Sequence, residues 1–422
     1  MRNFALTFKI IMNFTNYRVV IVFLFLVFSL SGKSGFSQGM FQIRFHGFVN
    51  LEMFYDTKQV VAAREGTVML FPAAEVTDAD GHDLNAVPAF HISLLTSRLQ
   101  SAISGPQMLG AKSSALLEVD FLGTAQDRFS LLRMRHALLK LNWEKTELLA
   151  GQYWHPLFIP SVYPGVVHFG GAVPYNILNR SPQVRLTHQA GKVSLMAAIL
   201  SQNDFSSPGP MGNSTIYLRN SGLPETWVQI IFEKKRFLAG ASAGVLTLRP
   251  RTQTARGYQT KQTMTSLAGN VFTKYLFEKF QIKALGTWGQ NLNHLIMLGG
   301  YGEAELIDVN KGIYNYTGIR SMAGWIDMET TTGKWRAGLF GGYSKNLGSN
   351  KPIAGQHWAR GGNISHIYRI APRVGYFIER ASFNLEFVYD AAAYGQPDNM
   401  FRFNQTKLVS NLRTQVGIKY SF

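Results

Sequence analysis

Apolar and polar residues alternate with a period of two along most of the chain from Phe41 onward. Phe41, Ile43, Phe45, Val49, Leu51, Met53 and Tyr55 interleave with Gln42, Arg44, His46, Asn50, Glu52 and Asp56. The chain closes the same way, with Val416, Ile418, Tyr420 and Phe422 against Gln415, Lys419 and Ser421. Between them, Leu117/Val119/Phe121 alternate with Glu118/Asp120, and Phe280/Ile282/Ala284/Trp288 with Gln281/Lys283/Thr287. Trp335/Ala337/Leu339/Tyr343 face Lys334/Arg336/Ser344, and Phe383/Leu385/Phe387/Tyr389 face Asn384/Glu386/Asp390. Successive side chains of a strand point to opposite faces, so each segment predicts a strand with one apolar and one polar face.

A soluble sandwich alternates in the same way, and the spacing of the breaks separates the two. Short turns are predicted at 105–112, 142–146, 189–192, 233–236, 277–279, 331–333 and 379–380. Long connections are predicted at 58–87, 123–130, 154–180, 202–223, 250–259, 291–319, 345–362 and 394–407. Seven short and eight long connections in alternation imply sixteen strands with both termini on the short-turn side. That is the arrangement of an all-β transmembrane antiparallel barrel. Closure follows from physics, because an unpaired N–H or C=O in hydrocarbon costs several kcal/mol and a spanning sheet can have no edges. About sixteen strands also leave a water-filled lumen rather than a packed interior. Tyr55, Trp143, Tyr153, Trp154, Trp288, Trp335, Tyr389 and Tyr420 fall near strand ends, where an aromatic girdle is expected.

The front of the chain has a different character. Arg18 precedes an apolar run from Val19 to Phe28, followed by small residues with Gly35 and Ser37 before Gln38. This predicts a secretory signal over 1–37, with Met12 as an alternative start, and a barrel over 38–422. The run is shorter than the ~20 residues that a spanning helix needs. Only 16% of residues are charged, against about 25% in soluble domains, while 13% are aromatic. The absence of cysteine excludes disulfides and thiolate metal sites. Of the +17 formal charge, the leader carries four positives (Arg2, Lys9, Arg18, Lys33), leaving +13. The remaining positives are scattered singly without a nucleic-acid motif, so no nucleic-acid partner is expected.

Two stretches carry a family resemblance. Leu132-Arg133-Met134-Arg135-His136-Ala137, running through a turn to Leu149-Ala150-Gly151-Gln152-Tyr153-Trp154, resembles the strand–turn–strand leading into the constriction loop of Gram-negative general and dicarboxylate-type porins. The opening Gly47-Phe48-Val49-Asn50-Leu51-Glu52-Met53-Phe54-Tyr55-Asp56 looks like the first strand of that group. The terminal Tyr420-Ser421-Phe422 is similar to the aromatic-ending membrane-insertion signal read by the barrel-assembly machinery. The resemblance implies a homotrimer in the outer membrane and its lipid, passing small hydrophilic solutes without a cofactor. It also implies a third long loop folded into the lumen, here about 154–180.

Alternation assigns Arg44, Arg133, Arg135, Arg185, Lys283, Arg336, Arg413 and Lys419 to the lumen, together with Glu52, Glu118, Asp120, Glu386 and Asp390. General porins set acidic residues on the third loop opposite an arginine ladder. Here the stretch from His155 to Arg180 holds His155, His168 and Arg180 but no Asp or Glu. A basic wall without an opposing acidic loop favours anions, so the sequence predicts a modest anion preference, with small organic acids as solutes.

Other chemistry is poorly supported. Gly240-Ala241-Ser242-Ala243-Gly244 fits the nucleophile-elbow spacing but lies in an alternating strand with no helix after it. His136, His188 and His366 are scattered, and no His pair has metal-ligand spacing. Asp78-Ala79-Asp80-Gly81-His82-Asp83 lacks the spaced Glu and flanking helices of an EF-hand. The sequence therefore favours a diffusion porin over an enzyme. The alternatives are a substrate-specific or gated channel and a closed structural or adhesive barrel.

Overall fold

The computed structural model describes residues 41–124 and 126–422, so the leader and its cleavage site lie outside the described residues. β1 (Gln42–Asp56) is followed by a small hairpin, β2 (Val60–Ala63) and β3 (Val68–Pro72). The bent pair β4 (Ala89–Ser93) and β5 (Arg98–Met108) forms the second barrel strand. Then come β6 (Ala111–Asp120), β7 (Arg133–Asn142), β8 (Thr146–Trp154), β9 (Arg180–Ala190) and β10 (Val193–Leu200). A short helix α1 (Ile216–Ser221) precedes β11 (Glu225–Lys234), β12 (Phe237–Leu248), β13 (Met264–Leu276) and β14 (Phe280–Gln290). β15 (Gly299–Asp308), β16 (Ile313–Thr330), β17 (Trp335–Ser349) and β18 (His357–Arg360) follow. β19 (Ile364–Ile378), β20 (Ala381–Tyr394) and β21 (Lys407–Ser421) complete the chain.

Together these segments form sixteen antiparallel barrel strands, and β1 pairs with β21 from Phe48↔Ser421 to Asp56↔Arg413, which closes the barrel. Turn positions agree with the sequence pattern to within a few residues, and Leu109-Gly110 makes a tighter turn than the expected 105–112. Three predicted loops contain strands, the third being 345–362, which holds β18. Residues 58–87 include the β2–β3 hairpin, and 291–319 include β15, which pairs with the upper part of β16 and with β18. These segments supply their own ladder partners for backbone groups that the barrel leaves unpaired. Among the described residues no helix is long and apolar enough to cross a membrane.

The outer wall is an apolar belt: Ile43, Val49, Val228, Val271, Ile326 and Ile370 are all about half exposed or more. A bilayer, not water, suits that surface. The interior is divided. Around β10–β20 the inward positions are largely apolar, including Leu200, Trp227, Phe272, Leu285, Trp325 and Phe340, all buried. They are covered by residues 155–179, whose Leu157, Phe158, Ile159, Val162, Val173 and Ile177 join them in one cluster. Each such side chain contributes about 1.5–3 kcal/mol on burial. Charged residues line the rest of the wall and also stand among these positions, as Lys283, Asp327, Arg369, Glu386 and Asp390 do.

Girdle expectations hold for Tyr55, Trp288, Trp335, Tyr389 and Tyr420, which are exposed on the outer face. Tyr153 and Trp154 correct the expectation. Tyr153 lies under Arg185 and Lys140, and Trp154 stacks on Phe158 with ring centroids 3.8 Å apart. Both point inward because β8 runs straight into the segment that enters the barrel. At the seam, Phe422 donates to the Gly47 carbonyl at 3.0 Å and Gly47 donates back at 3.2 Å. A Cβ on Gly47 would stand 2.7 Å from the Phe422 ring and 2.4 Å from the Arg98 carbonyl. Gly47→Val is therefore expected to lose about 1–3 kcal/mol to overpacking. A lower folded fraction on heat-modifiability gels checks this, with Gly81→Val in open space as the neutral control.

Candidate functional site

A register shift between β6 and β7, at Glu118/Val119, builds the basic part of the lumen. A bulge sets two residues of one strand against one of the next. Arg133, Arg135 and His136 are consequently all buried on the inner side, opposite Glu118 and Asp120. Arg133 binds Asp120 through Nε at 3.0 Å and Nη2 at 2.7 Å. Arg135 bridges Glu118 at 2.6 Å and Asp120 at 2.8 Å. Arg98 stands 3.7 Å from Glu118, and Arg180 lies 3.8 Å from Asp204 and over the Trp154 and Phe205 rings. Arg64, at the tip of the β2–β3 hairpin, adds a fifth guanidinium near Arg133, Asp204 and Asp120. Five guanidiniums thus meet three carboxylates. Arg180 is 1% exposed, and its Nε and Nη2 have no hydrogen-bond partner.

The opposite wall is neutralised. Arg413 grips Asp56 with Nε at 2.9 Å and Nη2 at 2.7 Å, and its Nη1 donates to the Gly66 carbonyl at 2.9 Å. Arg373 binds Asp327 at 2.7 Å and Glu329 at 2.9 Å, while Lys283 donates to Glu329 at 2.6 Å and to the Tyr163 carbonyl at 2.8 Å. Residues 155–179 present donors to these acids. The Gly165 amide binds Asp327, the Val167 and His168 amides bind Glu386, and Tyr175 Oη donates to Asp390 at 2.9 Å. His168 Nδ1 lies 2.7 Å from Glu386 and its Nε2 lies 3.0 Å from Arg369 Nη1. Because a guanidinium only donates, His168 accepts at Nε2 and carries its hydrogen on Nδ1.

The sequence-predicted residues fall into groups. Arg133, Arg135 and Arg180 come together with Glu118 and Asp120 in the basic cluster. Arg185 lies half-buried against Gln183 and the Trp154 carbonyl. Lys283 and Arg413 are inward but paired. His155 pairs with Glu225 at 2.9 Å. Arg44 and Arg336 are exposed near the short-turn end, with Arg336 over Phe377 and beside a cavity lined by Gly165, Val167 and Arg373. Glu386 and Asp390 face inward as expected, yet the loop covers both, because its N–H and O–H groups need acceptors there. The loop sets no carboxylate against these arginines, and Arg133, Arg135 and Arg413 bond instead to acids of the neighbouring wall strand. Lys419 and Glu52 are likewise inward, Lys419 over the Phe48 ring at 3.9 Å and Glu52 bonded to Thr96 and Gln415.

Sequence reasoning missed Arg98, Arg369, Arg373, Asp327 and Glu329, although Ile370 and Val374 give the outward phase of β19 from which Arg369 and Arg373 follow. Arg64 and Asp204 sit in loops and carry no periodic signal. Asp78 accepts the amides of Asp80 and His82, and Asp83 those of Val76 and Asn85, so this acidic stretch caps its own turn. Ser242 bonds Gln229 and lies mid-strand in β12.

No family model matches the sequence, and no curated protein matches it. Solved structures do resemble it. The outer-membrane channel DcaP of Acinetobacter baumannii superposes with a TM-score of 0.65 at 18% identity, covering 92% of this chain and 100% of that one. The anion-selective porin from Comamonas acidovorans gives 0.54 at 9% identity, over 91% and 100% of the two chains. Salmonella typhi OmpF in complex with daunomycin gives 0.52 at 11% identity, over 90% and 97%. The fold is that of the outer-membrane porins. Within the porin fold, this chain devotes two separate segments, 155–179 and the β2–β3 hairpin, to its inner wall.

Two outcomes follow. Asp56→Ala strands the buried Arg413 charge and is expected to cost about 3–5 kcal/mol, with Asp56→Ala/Arg413→Met recovering most of it. Denaturant unfolding of the folded barrel measures both. Burial, together with the Arg369 guanidinium at Nε2, holds His168 below its usual range against the pull of Glu386. The unfolded chain takes up that proton near pH ~6.5 and the folded one does not. This contribution is full above that pH and falls as pH drops below it, by up to about 1.4 kcal/mol per unit. The unfolding midpoint should therefore decline more steeply between pH 7 and 5 in the wild type than in His168→Gln.

Proposed function

We propose that this protein is an outer-membrane diffusion channel for small hydrophilic solutes with a modest anion preference, exported by its leader and assembled as a homotrimer by the barrel-assembly machinery. The observation that carries the selectivity is the β6–β7–β9 cluster, where five guanidiniums meet three carboxylates and Arg180 keeps two unpartnered nitrogens. A net positive, narrow stretch of lumen lowers the barrier for anions and raises it for cations. The porin fold, shared with channels that include one described as anion-selective and one described in trimer form, supports the reading. A catalytic role has little support, since Ser242 bonds an amide and no histidine is its partner.

A second reading has one observation in its favour. The β2–β3 hairpin lies against β20 and β21, with Arg369 bonded to the Leu70 carbonyl and Tyr394 to the Pro72 carbonyl, so a second segment occupies the lumen. That favours a substrate-specific or gated channel over an open hole.

Planar-bilayer conductance with a salt gradient tests both. Stepwise open currents with a reversal potential shifted toward anions are expected. Arg180→Gln should lower the anion-to-cation ratio by about twofold without closing the channel. Cation preference in the wild type overturns the selectivity, and no current from heat-modifiable, folded protein favours the gated or closed barrel.

A further inference from the structure

Where the third loop leaves β8, three chain segments bring together His155, Glu225 and His294. His155 is the first residue past β8, Glu225 opens β11, and His294 lies in the turn Asn293–Leu295 between β14 and β15. One ligand atom from each lies within 4.8 Å of the others. His155 Nε2 is 2.9 Å and His294 Nε2 3.5 Å from the same Glu225 oxygen. All three residues are buried, Glu225 and His155 completely and His294 to 4% exposure.

The hydrogen bonding around them is incomplete in one place. Glu225 Oε1 accepts from Trp227 Nε1 at 2.7 Å and from His155. Glu225 Oε2 has no partner, and neither ring nitrogen of His294 has one. Buried polar atoms are otherwise almost always paired, and those left over call for a water or an ion. Two imidazoles and a carboxylate are the donor set that borderline divalent ions take, with metal–nitrogen distances of about 2.0–2.1 Å. Such ions hold neighbouring ligand atoms about 3.3 Å apart in a tetrahedral site, close to the 2.9 and 3.5 Å already present.

We propose that His155, Glu225 and His294 form a binding site for a divalent transition ion of the zinc type, which clamps the root of the third loop to the barrel wall. The clamp has a defined mechanical partner. The His155 amide donates to the Asn179 carbonyl at 3.0 Å, and the Asn179 side chain donates to the His294 carbonyl at 2.9 Å. The two ends of the loop and the His294 turn are therefore one hydrogen-bonded unit. His155 Nδ1 accepts the Leu157 amide at 3.2 Å, so its hydrogen sits on Nε2 and points at Glu225. Taking an ion at Nε2 moves that hydrogen to Nδ1 and opens the Leu157 contact, with no net proton change at the ring. Metal uptake is thereby coupled to the first turn of the loop. The site does not depend on what the channel passes.

The test uses Zn²⁺ and Co²⁺ added to the purified, detergent-folded full chain after chelator treatment. One saturable ion per chain is expected, and Co²⁺ should give the visible bands of a nitrogen–oxygen site. His294→Ala and Glu225→Gln should each weaken binding by about 100-fold. Glu225→Gln keeps the acceptor for Trp227 and His155, so heat-modifiability of that variant separates lost binding from lost folding. His82→Ala removes the exposed Asp78/Asp80/His82 group and should leave binding unchanged. No saturable uptake, or uptake that survives both site variants or that His82→Ala abolishes, overturns the proposal.

Discussion

Everything in this molecule hangs on the backbone hydrogen bonds that join β1 to β21. Without that seam the sheet would present two edges of unpaired N–H and C=O groups to hydrocarbon, at several kcal/mol each. With it, every barrel strand has a neighbour on both sides, and side chains are forced to alternate between lipid and lumen. The terminal Phe422 takes part in the seam through its own backbone and needs Gly47 to make room for its ring. Closure fixes the interior as a private compartment, and the remaining structure concerns how that compartment is filled.

It is filled asymmetrically. One side of the wall is apolar and is covered by the apolar residues of 155–179. Buried ion pairs fill the other side and also flank this apolar patch, among them Arg413–Asp56 and Arg369–Asp390, the latter at 2.5 Å. A buried pair is weak support for stability in itself but strongly penalises loss of either partner. Here the pairs also have a positional use. Arg413 holds the Gly66 carbonyl and Arg369 holds the Leu70 and Val173 carbonyls, so the same guanidiniums that neutralise acids tether both in-folded segments. The absence of Asp and Glu from 155–179 suits this role, since wall acids accept from the loop's amides and Tyr175 hydroxyl while wall cations donate to its carbonyls.

Charge is then left over only where geometry allows it. The β6–β7 bulge crowds Arg133, Arg135 and His136 onto one face, and Arg64, Arg98 and Arg180 converge on the same acids. Arg180 is left with Asp204 as a distant partner at 3.8 Å and two nitrogens without one. In the reading proposed above, anion preference rests on the guanidinium that the ion-pair network leaves unsatisfied, rather than on the number of arginines in the wall.

The sequence by itself determined the barrel, its strand number and most of its turns, because a period of two and an alternation of short and long connections are local properties. It also determined which face Arg133, Lys283, Glu386 and Arg413 take, since phase along a strand is readable from neighbours such as Met134, Ile282, Phe387 and Leu412. The tertiary structure alone decided which of those charges remain free. Arg413 and Asp56 are far apart in the chain and adjacent only after closure, and Arg64 and Asp204 reach the lumen from loops that have no periodicity. The same holds for His155, Glu225 and His294, whose spacing in sequence resembles no metal motif because three different strand ends bring them together. Alternation reports the direction of a side chain; pairing depends on distances across the barrel, and those exist only once the sheet has closed.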